Sequence, residues 1–286
     1  MTMPAQRMKA GGLADDDGAV IESAHCFGPG LVGVLTRPRG GAVRHTGVIL
    51  YNAGLVHRVG PFRGYVQLAR MLADRGFPVL RFDQSGLGDS PASQAVSAMR
   101  RRLEANAAMT LLMAETGAER FVLGGICSGA DDAFHIAATD PRVRGLLLLD
   151  GLAYPTPGYW WRYLLPRLLD LPKLWQLLRG IGANEPGMED YRDFPSRSDA
   201  VRQLAEIVAR DVRVLFLFTG GAYRYFNHRQ QLAACLGAAA HSPQVSLEYW
   251  PDCDHTFYLR RDRARLHQAV ASWMRAQFDD AGGTAS

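Results

Sequence analysis

The chain has 286 residues, 48% of them hydrophobic and 21% charged, a globular composition that excludes disordered, collagen-like and coiled-coil readings. Its formal net charge of +4 is spread along the chain, and the short run Arg100 to Arg102 falls on a predicted helix as a solvated face, so nucleic-acid binding is set aside. Only two of the 32 basic residues, Lys9 and Lys173, are lysines, a bias that reflects a GC-rich genome rather than a binding site.

Residues 1–18 are polar and lack the apolar stretch of a signal peptide, which predicts a disordered leader. From there, short apolar runs alternate with longer amphipathic stretches, the pattern of strands and crossover helices in a mainly parallel sheet. Strands are predicted at 20–26, 31–36, 47–52, 78–83, 120–124, 145–150, 212–218 and 244–250. Several are continuous Val/Leu/Ile/Phe runs, as expected where both faces are covered. Only Phe27-Gly28-Pro29-Gly30 separates the first two, which predicts an antiparallel hairpin. Helices are predicted near 62–75, 94–116, 128–138, 227–238 and 262–278. Residues 151–211 break the rhythm with Tyr154, Tyr159, Trp160, Trp161 and Tyr163, then Leu-rich helical stretches, and are read as an inserted helical lid. Its aromatics either line a substrate cleft, with Tyr159 and Trp160 as substrate-binding candidates, or only form the lid's own core. The core is therefore expected at 19–150 and 212–279, with a flexible tail at 280–286.

Cys26, Cys127, Cys235 and Cys253 are widely spaced with no C-x-x-C pair, so neither a zinc site nor a disulfide framework is indicated and no metal or cofactor is expected. The cysteine usage fits a reducing cytoplasm, and no apolar run is long enough for a transmembrane helix.

The sharpest motif is Leu123-Gly124-Gly125-Ile126-Cys127-Ser128-Gly129-Ala130, at the end of an apolar strand and the start of a helix. A nucleophile on such a turn needs small residues two before and two after it, so that strand and helix can approach. Centred on Cys127 the flanks are Gly125 and Gly129; centred on Ser128 they are Ile126 and Ala130, and Ile126 would collide. Cys127 is therefore the candidate nucleophile, against the alternative of a structural cysteine in a Gly-rich turn.

The order of elements and this elbow resemble the α/β-hydrolase superfamily, over roughly residues 19–278. The runs Asn52-Ala53-Gly54-Leu55-Val56-His57-Arg58-Val59-Gly60-Pro61, Arg81-Phe82-Asp83-Gln84-Ser85-Gly86-Leu87-Gly88-Asp89-Ser90 and Asp254-His255-Thr256-Phe257 resemble hydrolases found beside exosortase systems and in bacterial biosynthetic clusters. Most superfamily members carry Ser at the elbow; Cys is similar to dienelactone hydrolases and polyhydroxyalkanoate synthases. The resemblance implies an α/β-hydrolase fold: a doubly wound, mostly parallel eight-stranded sheet with a helical lid.

It also implies site residues. His255, after the last strand, takes the place of the general base. The acid usually follows the seventh strand, where Thr219 to Asn227 holds no carboxylate. Asp150 at the end of the sixth strand, Asn227 as an amide substitute, and no acid at all remain as alternatives, while Asp254 is read as an anchor of its loop. Oxyanion donors are expected from the Ser128 N–H and from Gly54 or Leu55. His57 and Arg58 either hold an anionic group of the substrate or form an exposed loop pair. The Asp83 to Asp89 turn lacks the Lys-Ser/Thr ending of a phosphate loop and is read as structural, as are Asp131 and Asp132.

The expected activity is cleavage of an ester, thioester or lactone through a Cys-His(-Asp) acyl-enzyme. Its partner is a small acyl substrate, free or carrier-bound. The alternatives are acyl transfer to an alcohol or amine, a lyase using His255 as base, and a non-catalytic binding protein.

Overall fold

Short runs of Val, Leu, Ile and Phe, apolar on both faces, form the strands of one sheet in a computed structural model that describes residues 19–168, 175 and 192–279. The strands are β1 (Val20–Phe27), β2 (Leu31–Pro38), β3 (Thr46–Leu50), β4 (Val79–Phe82), β5 (Arg120–Ile126), β6 (Val143–Leu149), β7 (Arg213–Thr219) and β8 (Val245–Trp250). They lie in the order β1-β2-β4-β3-β5-β6-β7-β8. β2 is antiparallel to β1 and to β4, and every other neighbouring pair is parallel. The hairpin between β1 and β2 turns on Gly28 and Gly30, both at positive φ.

Successive residues of a strand face opposite sides, so one strand feeds two cores. On β3, Ile49 packs in one cluster while Val48 and Leu50 pack in the other. The first face is covered by α2 (Ser97–Thr116), α3 (Ser128–Ala137), α5 (Arg197–Ala209) and α6 (Gln231–Leu236). The second is covered by α1 (Gly64–Asp74) and α7 (Arg260–Phe278); α4 (Pro157–Leu168) follows β6. Helices on both faces of a mostly parallel sheet give the doubly wound α/β architecture that the alternation predicts.

The predicted helices differ from the observed ones at their ends. The stretch predicted at 227–238 holds only the short α6, because Gly237 at φ 78 stops it and a 3₁₀ turn at Ala238–His241 follows. A 3₁₀ turn at Pro61–Arg63 with Phe62 and Arg63 at positive φ precedes α1, which starts at Gly64 rather than at residue 62. Inside the expected insertion at 151–211, α5 packs Ala200, Leu204 and Ile207 into the first core. It thereby acts as the crossover helix leading into β7. The expected leader at 1–18, the tail at 280–286 and positions 169–174 and 176–191 of the insertion lie outside the described residues. Among the described residues no helix is long and apolar enough to cross a membrane.

Candidate active site

The C-terminal ends of the parallel strands converge on one edge of the sheet, where ligand sites of open α/β sheets form. Cys127 stands there between β5 and α3 with φ 60 and ψ −122, a left-handed backbone that L residues rarely adopt. The two flanking glycines make this turn possible. A Cβ on Gly129 would stand 2.5 Å from the Asn52 carbonyl oxygen, and one on Gly125 would stand 2.9 Å from the Gly129 backbone. Upstream, the Ile126 N–H donates to the Tyr65 hydroxyl at 2.7 Å, and the Cys127 N–H donates to the Leu149 carbonyl at 2.9 Å. The thiol-bearing residue is thus fixed from both sides.

Asp150 follows β6 directly, at φ 48, and its side chain is fully buried. His255 lies in the loop between β8 and α7, and its Nδ1 is 2.7 Å from Asp150 Oδ2. The Cys127 side chain lies within electrostatic reach of the same imidazole, so His255 stands between carboxylate and thiol. Burial opposes the charged imidazole, but the Asp150 carboxylate, with Cys127 beside it, outweighs that and pushes His255 up to about 10. The His255 side chain remains 37% exposed and Cys127 is partly buried, while the Asp150 side chain is sealed. Asn227, the other acid candidate, is occupied elsewhere: its Oδ1 accepts from Arg162 Nε at 3.2 Å and its Nδ2 donates to the Tyr159 carbonyl at 3.1 Å.

The loop after β3 passes beside the elbow. Ser128 opens α3 with one of the helix's unpaired N–H groups, and its hydroxyl accepts from the Gly54 N–H at 3.0 Å. The Gly54 donor is thereby engaged, while Leu55 is 81% exposed. The buried Asp83 carboxylate holds this loop. It accepts from the Arg58 N–H at 2.6 Å and from Asn52 Nδ2 at 3.2 Å, and pairs with the Arg58 guanidinium, which also reaches Asp89 at 2.7 Å. The Arg58 charge is therefore held by two carboxylates, whereas His57 is exposed. Of the aromatic candidates, Tyr159 is buried and donates its hydroxyl proton to the Arg224 carbonyl at 2.5 Å, and Trp160 stands half-exposed against it, edge to face.

Sequence reasoning missed Arg192. Its guanidinium is buried and forms a two-pronged pair with Asp131 at 2.7 Å on each oxygen. The same group donates to the Asp150 carbonyl at 3.1 Å and lies 3.5 Å from the Cys127 carbonyl, with the Tyr225 hydroxyl 3.0 Å from Nη1. Tyr225 in turn donates to the Asp150 carbonyl at 2.8 Å. Burial raises the Asp131 carboxyl, the Arg192 charge opposes that rise, and Asp131 holds Arg192 firmly protonated. No motif surrounds Arg192, so nothing in its sequence neighbourhood marks it. Among the described residues no group of three or more His, Cys, Asp or Glu could hold a metal ion.

This architecture is the α/β-hydrolase fold, with a thiol at the turn after β5. Solved structures share it over nearly the whole chain. The Pyrococcus furiosus esterase Pf2001 matches with a TM-score of 0.60 at 15% identity, covering 96% of this chain and 97% of its own. A cold-adapted esterase from an Arctic intertidal metagenomic library matches with a TM-score of 0.59 at 16% identity, over 95% of this chain and 100% of its own. Dienelactone hydrolase from Anabaena variabilis matches with a TM-score of 0.55 at 15% identity, over 91% and 99%. At these identities the likeness establishes the fold. No protein-family model and no curated protein matches the sequence.

Proposed function

We propose that the chain is a hydrolase of ester-type bonds that works through a covalent acyl-enzyme on Cys127. The observation that carries this reading is the position of His255, with Nδ1 on Asp150 at 2.7 Å and the ring within electrostatic reach of Cys127 on its strained turn. An esterase and a dienelactone hydrolase among proteins of the same fold agree with it. A thiolate beside an imidazolium is the nucleophilic form of such a pair.

The reaction runs in two halves. Cys127 Sγ attacks the carbonyl carbon and a C–S bond forms as the carbonyl π electrons move onto oxygen. The Ser128 N–H, with Leu55 or a released Gly54 N–H, stabilises that oxyanion, aided by the positive end of α3. The C–O bond to the leaving group breaks and His255 supplies its proton, giving an alcohol and a thioester on Cys127. His255 then takes a proton from water, hydroxide adds to the thioester, and collapse frees the acid and returns the thiolate–imidazolium pair. Asp150 holds the ring in one tautomer and orientation. Lactones fit the same sequence, with the leaving hydroxyl remaining on the product, and thioesters fit it with a thiol in the leaving role.

Intact mass after brief exposure to p-nitrophenyl acetate and to short acyl thioesters tests the reading. An added acyl mass that is absent from Cys127→Ala is expected. Turnover that continues undiminished in Cys127→Ala would overturn it.

A further inference from the structure

Thr219, the last residue of β7, is fully buried beside the Asp150 carboxylate and grips both of its oxygens. Its N–H donates to Oδ1 at 2.6 Å and its hydroxyl donates to Oδ2 at 2.6 Å. The direction of the second bond is fixed, because the Gly221 N–H donates to the same hydroxyl oxygen at 3.1 Å and leaves the hydroxyl proton for the carboxylate. Oδ2 is also the oxygen that meets His255 Nδ1. Among the described residues, Thr219 therefore supplies two of the three hydrogen bonds to this sealed carboxylate, and the third comes from the imidazole itself.

We propose that Thr219 is the positioning residue of the site: its two-point grip keeps the Asp150 carboxylate turned toward His255 and shares its charge, setting how tightly the imidazole holds its proton. This deepens the Cys127–His255–Asp150 reading and rests on it. A buried carboxylate that loses a donor is stabilised less, and the His255 proton then becomes its main countercharge. Removing the hydroxyl makes the pair hold that proton to higher pH.

Other charged and titratable groups surround the pair. Cys127 lies within electrostatic reach of the imidazole, and the Arg192–Asp131 pair and Tyr225 approach the Asp150 carbonyl. Tyr249 and Cys253 lie within electrostatic reach of Asp150, and Asp254 precedes His255 in its loop. Thr219→Val leaves all of them in place, so a shift on that substitution is assigned to the hydroxyl.

The test follows His255 directly by NMR of ring-labelled histidine in the full chain, with the signal assigned by its loss in His255→Gln. In Thr219→Val the deprotonation midpoint is expected to rise by about one pH unit, a tenfold gain in proton affinity, while Thr219→Ser keeps the wild-type midpoint. Thr219→Ala is read in the same way if the valine variant does not fold. A midpoint that stays put or falls in the hydroxyl-free variant, with the fold intact by circular dichroism, overturns the proposal. p-Nitrophenyl acetate turnover by Cys127→Ala is measured alongside. Activity there defeats the acyl-enzyme reading without touching the titration result, and an unmoved midpoint defeats the Thr219 role without touching the acyl-enzyme.

Discussion

Gly221 packs so closely against His255 that a Cβ on the glycine would stand 2.5 Å from the histidine Cβ and 2.6 Å from its backbone nitrogen. The segment after β7 carries no carboxylate; it carries space. Neighbouring Gly220 has the same need, since its added Cβ would lie 2.3 Å from the Pro251 carbonyl oxygen.

Gly221→Ala should therefore push the His255 loop outward while the sheet stays folded. A displacement near 1 Å at a catalytic group costs about 100-fold in rate. We expect kcat/KM for p-nitrophenyl acetate to fall by that order with the melting temperature little changed. A large drop in melting temperature with proportionate activity loss would contradict this.

Replacing Asp150 by Asn removes the charge that holds the imidazolium. Ester hydrolysis should fall on the order of 10³-fold or more, and the His255 midpoint should return toward the ordinary value near 6.5. The sign for stability follows from the same shift. With a folded value of about 10 above an unfolded value near 6.5, the folded state binds the proton more tightly between those limits. The stabilisation from His255 is complete below pH 6.5 and is lost as pH rises through 10. Urea midpoints of the wild type should decline across this window more steeply than those of Asp150→Asn.

Arg192→Met strands the buried Asp131 carboxylate, and the expected loss of stability is about 3–5 kcal/mol in urea titrations. The double variant Arg192→Met/Asp131→Leu removes both charges and should recover most of that loss. Its activity should not recover, because the carbonyls of Cys127 and Asp150 still lack their shared donor. Full recovery of both would reduce Arg192 to a packing role.

Arg58 is held by Asp83 and Asp89, so its charge is committed to the loop after β3. Arg58→Ala should lower stability by about 2–3 kcal/mol through the weakened Asp83 hub. It should also change kcat/KM for neutral and carboxylate-bearing esters by the same factor. A selective loss on the anionic ester would instead assign Arg58 to substrate.

The sheet was largely legible because its strands are continuous apolar runs and its first turn is Gly-Pro-Gly. The elbow was legible for a steric reason: only with Cys127 at the centre are the two residues that touch across the turn both glycines. His255 was marked by its place after the last strand, and Asp150 only as one of several alternatives, since a carboxylate at a strand end has many uses. Arg192, Thr219 and Tyr225 left no trace. Each meets the site across 42 to 75 residues of chain, through hydrogen bonds that no local pattern encodes. The helix expected at 227–238 failed where Gly237 takes a positive φ.

The separations along the chain have a bearing on biosynthesis. Asp150 meets His255 across 105 residues, and the elbow between β5 and α3 precedes β8 along the chain. A nascent chain with β5 and α3 already formed carries Cys127 without its imidazole, and contacts of such range form late. Thiol and imidazole can therefore come together only after β8 and the loop behind it have been synthesised.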